Sequence, residues 1–412
     1  MNEAARVRVN SDRLWRGLME MAEIGATPGG GSGRLALTAL DKEARDLFVS
    51  WCRDSGFQPR IDAMGNIFAR RPGTDDAAPP VLAGSHLDTQ PLGGRFDGVF
   101  GVLAALEVLR TLDDHGIGTT APLEAVVWTD EEGCRFETGM VASGVFGGKY
   151  KQDWALGVSD PDGVTIGEAL KAIGYAGPEP AHDRPVAAYL EAHIEQGPVL
   201  EASETAIGVV LGAQARRCFR VSVKGEEGHA GTLPMERRRD ALLGAARMID
   251  GLNAVAYRFQ PRPVITVGDL TVSPNSRNTI AGGCVFIIDS RHPDDGTLDL
   301  IEGEMRGACE EAAGNGGLGL AIEVIDESPA VVFDAGPVGA VRDAAEGLGL
   351  THLDIHSGAG HDACNIALLA PTGMIFVPCE NGISHNEKEN AKPGDLANGA
   401  DVLLRAMVAL AG

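Results

Sequence analysis

Residues 81–112 read VLAGSHLDTQPLGGRFDGVFGVLAALEVLRTL, and this stretch decides the fold class. Val81, Leu82 and Ala83 form a short apolar run of the kind buried in a sheet. Val99 to Leu112 is apolar for long enough to be a helix. Between them lie a polar cluster, Gly84-Ser85-His86-Leu87-Asp88-Thr89, and a turn, Gly93-Gly94-Arg95-Phe96-Asp97-Gly98. The glycines of that turn permit close backbone approach and unusual dihedrals around Asp97. Strand, polar loop and helix in that order form the unit of an α/β fold, a mostly parallel sheet with helices on both faces.

Working outward, the same alternation recurs. Leu123 to Trp128, Ala187 to Leu190 and Gly373 to Val377 read as strands, and a closing helix starts near Ala400. Asp12 to Cys52 is helical, interrupted at Thr27-Pro28-Gly29-Gly30-Gly31-Ser32-Gly33. No strand precedes those glycines, so they read as a flexible loop near a site rather than a phosphate cradle. The middle of the chain differs. A half-exposed strand at Arg217 to Val223 is followed by a helix, Glu236 to Ala256, and by strands at Val264 to Val267 and Cys284 to Asp289. A helix at Leu298 to Ala313 and a strand at Leu318 to Ile325 complete the β-α-β-β-α-β order of a ferredoxin-like α+β unit. The expectation is one domain of residues 1–212 and 329–412, interrupted by an inserted domain of residues 213–328.

Composition excludes several classes. The net charge of −23 opposes nucleic acid binding, which demands a basic footprint. No run approaches the apolar length of a membrane span. The N-terminal stretch MNEAARVRVNSDRLWRGL has no apolar core, so a cytoplasmic setting is expected. Seven cysteines, none in a C-x-x-C pair, read as reduced and mostly buried thiols.

Four polar clusters fall at or just after strand ends: His86 with Asp88, Thr129-Asp130-Glu131-Glu132-Gly133, His193-Ile194-Glu195-Gln196-Gly197, and Ser384-His385-Asn386-Glu387. In open α/β sheets such ends converge on one crevice. Imidazoles and carboxylates without thiolates suit borderline divalent metals. A carboxylate can bridge two ions, so His86, Asp97, Glu132, His193 and His385 can hold a pair of ions about 3.5 Å apart. Asp88 is placed to accept the second N–H of His86 and fix its tautomer. Glu131 and Glu132 are adjacent and point apart on extended backbone, so one can bind metal while the other handles a proton. Each motif alone is commonplace; their conjunction is what points to chemistry.

The runs GSHLDTQPLGGRFDGVFGVLAALEVL, WTDEEGCRF, HIEQGPVLE, GEEGHAGTLPMERRRDAL, SPNSRNTIAGGCVFIIDSR, SGAGHDA and ISHNEKE resemble the metal-dependent peptidase M20 superfamily. They are most similar to its amidase branch: N-carbamoyl-L-amino-acid hydrolases, β-ureidopropionases and allantoate amidohydrolases. His193, where peptidase relatives usually carry Asp or Glu, is similar to the carbamoylase group. The resemblance implies that residues 1–212 and 329–412 are the catalytic domain and the insert of residues 213–328 a lid through which a homodimer forms, with two divalent ions, zinc ahead of manganese, cobalt or nickel. It implies that His86, Asp97 and His193 hold one ion, and Asp97, Glu132 and His385 the other. Glu131 is then the general base and acid, and His229, in Gly228-His229-Ala230-Gly231, reaches the partner's active site. Asn278 and Arg291 match residues that hold a substrate carboxylate, and Gln196, Gly360 and His361 match further substrate contacts. The implied substrate is a small carboxylated ureido or amide compound, an N-carbamoyl-L-amino acid first, with allantoate as the alternative.

Overall fold

The computed structural model describes residues 7–182 and 184–412, so the first six residues of the charged N-terminal stretch lie outside it. Among the described residues the chain divides into two compact units. One runs up to Gly212 and resumes at Val332–Gly412; the other is Ala213–Val331.

The first unit is built on a nine-stranded sheet. Its centre holds four parallel strands in the order Leu123–Trp128, Val81–His86, Ala188–Ile194 and Thr372–Val377. Antiparallel strands flank them, Ile67–Arg71 on one side and Ile207–Ala213 on the other. Every residue of the four central strands is buried, which requires cover on both faces. The helices Val99–Asp114, Ala335–Leu348 and Pro393–Ala411 pack on one another and on these strands. Val99–Asp114 is apolar almost all round, as an enclosed helix must be. Its buried Glu107 is neutralised by Arg13, Nε to Oε2 at 2.7 Å. The short helices Val141–Phe146 and Asp362–Ile366 form a second layer beside Trp128 and Tyr189.

The strand Ala188–Ile194 runs beyond the expected end at Leu190, so His193 lies within the strand rather than past it. Hydrogen-bonded pairing with Thr372–Val377 extends the ladder through Ile194, which sequence alternation at Leu190 does not reveal.

The second unit is a four-stranded antiparallel sheet, ordered Gly319–Ser328, Ala215–Lys224, Gly283–His292, Val264–Ser273. The helices Ala241–Ala256 and Asp295–Gly316 cover one face. Gly283–His292 alternates strictly between half-buried and buried residues, the signature of a sheet covered on one side. Phe219, Val221, Phe286 and Ile288 meet Met248, Leu252, Ile301 and Met305 in its core. The first helix begins later than its sequence pattern, at Ala241 instead of Glu236, because Asp240 caps it by accepting the Leu242 and Leu243 N–H groups. No helix among the described residues is long and apolar enough to cross a membrane. All seven cysteines are free; five are buried, Cys364 is partly buried and Cys134 is exposed.

Candidate metal centre

The C-terminal ends of the parallel strands bring the predicted ligands together. His86 closes its strand, Glu131 and Glu132 follow Trp128, and His193 stands one residue before the end of its own strand. Asp97 precedes the helix that starts at Val99, and His385 follows the strand Thr372–Val377 and a short helical turn.

Two groups of metal-compatible side chains result, His86–Asp97–His193 and Asp97–Glu132–His385, each with ligand atoms within 4.8 Å of one another. Asp97 belongs to both, one oxygen to each. Its Oδ1 lies 3.1 Å from His193 Nε2 and 3.8 Å from His86 Nε2. Its Oδ2 lies 3.5 Å from His385 Nε2, which is also 3.5 Å from Glu132 Oε2. Glu131 and Glu132 do diverge: Glu131 Oε2 is 3.5 Å from His86 Nε2, on the side of the first group. A left-handed backbone at Asp130, φ 59°, turns the chain between strand and glutamates.

Supporting contacts aim these side chains. His193 Nδ1 is 2.8 Å from the Ile194 carbonyl. His86 Nδ1 meets Asp88, but at its main-chain carbonyl, 2.8 Å away, and not at its carboxylate. The Asp88 carboxylate is turned instead to the N–H groups of Glu131 (3.4 Å) and Glu132 (3.2 Å), fixing the loop that carries both glutamates. This corrects the sequence expectation. The chain leaving the strand folds its own carbonyl back to the ring, and the carboxylate serves two otherwise unpaired amides. Gly98 is obligatory, because a Cβ there would stand 2.3 Å from the His86 ring.

A third group, Glu191–His193–His361, also has metal-compatible donors. Its Glu191 carboxylate is already filled by Ser85 Oγ (2.7 Å), the Ala363 N–H (2.9 Å) and Tyr189 Oη (3.2 Å). Its charge favours the protonated form of the neighbouring His193.

Electrostatics make the centre a cation site. Burial, together with Asp362, Glu132 and Asp97, pushes Glu131 well above the usual carboxylate range. Burial and then Asp97 push Glu132 up to about 9. Burial also opposes ionisation of Asp97, but His193, His86 and His385 outweigh it and hold Asp97 well below that range. For His193, burial is outweighed by the Asp97 contact, and its pKa rises to about 9. His361, buried beside the His193 ring at 4.6 Å, is held well below the usual imidazole value by burial and by His193. Crowded carboxylates interleaved with imidazoles are destabilised by one another and stabilised by divalent cations. The donor set therefore fits divalent metal.

Gln196 is drawn into the same centre, its Nε2 donating to Asp97 Oδ2 at 2.9 Å. His361 Nε2 lies 2.8 Å from Ser357 Oγ, and Gly360 faces Met140, whose Cε is 3.0 Å from where a Cβ would sit. The Thr27–Gly33 loop, expected to be flexible, is tied down. Ser32 and Gly93 exchange both main-chain hydrogen bonds, and the Gly29 N–H donates to Glu387 at 3.0 Å. Sequence reasoning passed over Gln90, whose main-chain and side-chain N–H groups grip both oxygens of Glu132. It also passed over Glu191, hidden in an apolar strand, and Glu389.

The remaining expected residues lie in the second unit. His229 is exposed, in a two-stranded ladder where it faces Thr279. Its Nδ1 accepts the Gly231 N–H at 3.0 Å, which leaves the proton on Nε2. Asn278 adjoins it: the Ala230 N–H donates to the Asn278 carbonyl at 3.0 Å. Arg291 stands one residue before the end of its strand, with Nε and Nη2 on Asp289 at 2.8 and 3.2 Å.

The model of peptidase family M20/M25/M40 matches residues 82–409. An N-carbamoyl-L-amino-acid amidohydrolase of Rhizobium meliloti is 47% identical over 405 residues, 97% of this chain and 96% of that protein. The allantoate amidohydrolase of Escherichia coli K12 is 35% identical over 400 residues, 95% of this chain and 96% of that protein. The crystal structure of a hydantoinase/carbamoylase family amidase from Burkholderia multivorans superposes with a TM-score of 0.96, at 52% identity and 98% coverage of both chains.

Proposed function

Because this chain belongs to peptidase family M20/M25/M40, we propose that it is a di-metal amidohydrolase cleaving an N-carbamoyl-L-amino acid to the amino acid, carbon dioxide and ammonia. The observation that carries the reading is Asp97, each of whose oxygens faces a separate ligand group. His86, Asp97 and His193 would hold one ion, and Asp97, Glu132 and His385 the other; imidazole and carboxylate donors suit zinc, with manganese, cobalt or nickel as substitutes. When bound, such ions supply Lewis acidity and lower the pKa of water to about 7.

The protein's own groups do the rest. Glu131 takes a proton from the water that attacks the ureido carbonyl and returns it to the leaving nitrogen. Asp88 steadies the loop that carries Glu131. Nε2–H of His229 of the partner subunit donates to the developing oxyanion, the kind of contact worth about 3–4 kcal/mol. Asn278 and Arg291 bind the substrate carboxylate, for which a guanidinium fork is suited. Gln196, Gly360 and His361 line the remainder. The substrate is thus a small carboxylated ureido or amide compound, and the working protein is a cytoplasmic homodimer joined through the Ala213–Val331 unit.

The test is ammonia release from N-carbamoyl-L-amino acids, β-ureidopropionate and allantoate, side by side, on metal-reconstituted protein. The N-carbamoyl-L-amino acids are expected to give the highest kcat/KM. Faster turnover of allantoate would transfer the assignment to allantoate amidohydrolase; turnover of none would end it.

A further inference from the structure

His385 differs from the other two imidazole ligands. The side chains of His86 and His193 are 2% and 1% exposed, and each has its Nδ1 on a carbonyl. The side chain of His385 is 52% exposed, its backbone is left-handed at φ 52°, and among the described residues its Nδ1 has no partner. Neither packing nor a ring hydrogen bond holds it, so its loop must.

One buried carboxylate ties that loop to Asp97. Glu389 is 1% exposed. Its Oε1 accepts the main-chain N–H groups of Phe96 (2.9 Å) and Asp97 (3.1 Å). Its Oε2 accepts from Ser384 Oγ at 3.1 Å, and that hydroxyl is also 2.9 Å from Asp97 Oδ2. The Glu389 N–H donates to the Asn386 carbonyl at 3.0 Å, closing a turn that begins immediately after His385. The opposing wall is shaped to admit the carboxylate: a Cβ on Gly94 would stand 2.0 Å from Glu389 Cδ. The same carboxylate therefore grips the backbone of the shared ligand and the residue next to the exposed one.

We propose that Glu389 is a positioning residue that sets the spacing between Asp97 and His385, and thereby the affinity of the Asp97–Glu132–His385 group for its ion. The inference rests on the two-ion reading of the centre. Buried partners of ligating side chains typically change metal affinity 10- to 100-fold when removed.

The test is a Zn(II) titration of the metal-free full-length protein, followed by calorimetry with chelator competition. Wild type is expected to show two binding events; fewer would defeat the two-ion reading, not the role of Glu389. In Glu389→Ala one event weakens about 10- to 100-fold while the other stays within about threefold. The visible spectrum of the Co(II)-loaded variant shifts with it. Glu389→Gln keeps a carbonyl for the two N–H groups and an amide to donate to Ser384, and is expected to recover at least tenfold of the lost affinity. Wild-type affinity for both ions in Glu389→Ala would overturn the proposal, as would Glu389→Gln as weak as Glu389→Ala. Should Glu389→Ala not fold, Ser384→Ala and Gly94→Ala decide. A selectively weakened event in either supports the proposal, and two events of wild-type affinity in both overturn it.

Discussion

The two units present their candidate residues in opposite ways. In the first, His86, Asp97 and His193 stand buried at the ends of parallel strands, each held by several contacts before any ligand arrives. In the second, His229 is exposed, and Arg291 lies on a sheet that only one face of helices covers. Among the described residues, all three groups of metal-compatible side chains lie in the first unit. The difference follows from strand geometry. Parallel strands are covered on both faces, so polar side chains at their ends are desolvated and must be organised. One-sided antiparallel sheets leave polar residues in water, available for transient contacts. A permanent ion suits the first arrangement, and a substrate that comes and goes suits the second.

The comparison breaks most sharply at Glu131. Glu131→Gln is expected to retain both ions and lose about 10³- to 10⁴-fold in kcat, because proton transfer disappears while the ligands stay. Metal analysis beside steady-state kinetics checks this; near-wild-type turnover would remove Glu131 from the mechanism. His229→Ala comes next, with kcat down about 10²- to 10³-fold and unchanged metal content. Loss of metal in that variant would erase the division between the units.

Much of this division was legible in the sequence, and the reasons are physical. A buried parallel strand gives a short apolar run, and a ligand at its end stands out as the first ionisable residue, as at His86. The insert announced itself by alternation, which Gly283–His292 preserves residue by residue. Contacts that depend on chain direction were not legible. Asp88 offers His86 its carbonyl, which every residue possesses, so no side-chain pattern records it. Glu389, in the polar run Asn386-Glu387-Lys388-Glu389-Asn390, reads as solvated loop although it is buried. Gln90 grips Glu132 across 42 positions of chain, a pairing with no spacing rule behind it.

A smaller effect, confined to the first unit, runs through protons. In the metal-free protein the His193 and Glu132 pKa values are both about 9, one in each ligand group. Ligands must be deprotonated to bind metal. Below pH 9 each group holds a proton that the ion must expel, so affinity rises by about tenfold per pH unit from 7 to 9 and levels off above. Calorimetry in two buffers of different ionisation enthalpy counts the protons released. An affinity independent of pH would mean that the crowding of the centre does not reach its ligands.

The smallest effect concerns Arg291. Its Nε and Nη2 are engaged by Asp289, which Arg216 also holds at 2.7 Å. If Arg291 binds a substrate carboxylate, that anion competes with Asp289 for the fork. Asp289→Asn weakens the competitor, so KM is expected to fall by about threefold with kcat unchanged; this is the part of a charge-assisted contact of about 1.5–3 kcal/mol that substrate recovers. If Asp289 only ties Arg291, on its own strand, to Arg216 on the neighbouring one, KM stays put and the variant loses at most about 1 kcal/mol of stability, as partly exposed ion pairs do. Kinetics and thermal unfolding on one variant thus distinguish a recognition residue resting on its intramolecular partner from a strut. The first outcome keeps the open face of the second unit a place for ligand, and the second confines recognition to the buried centre of the first.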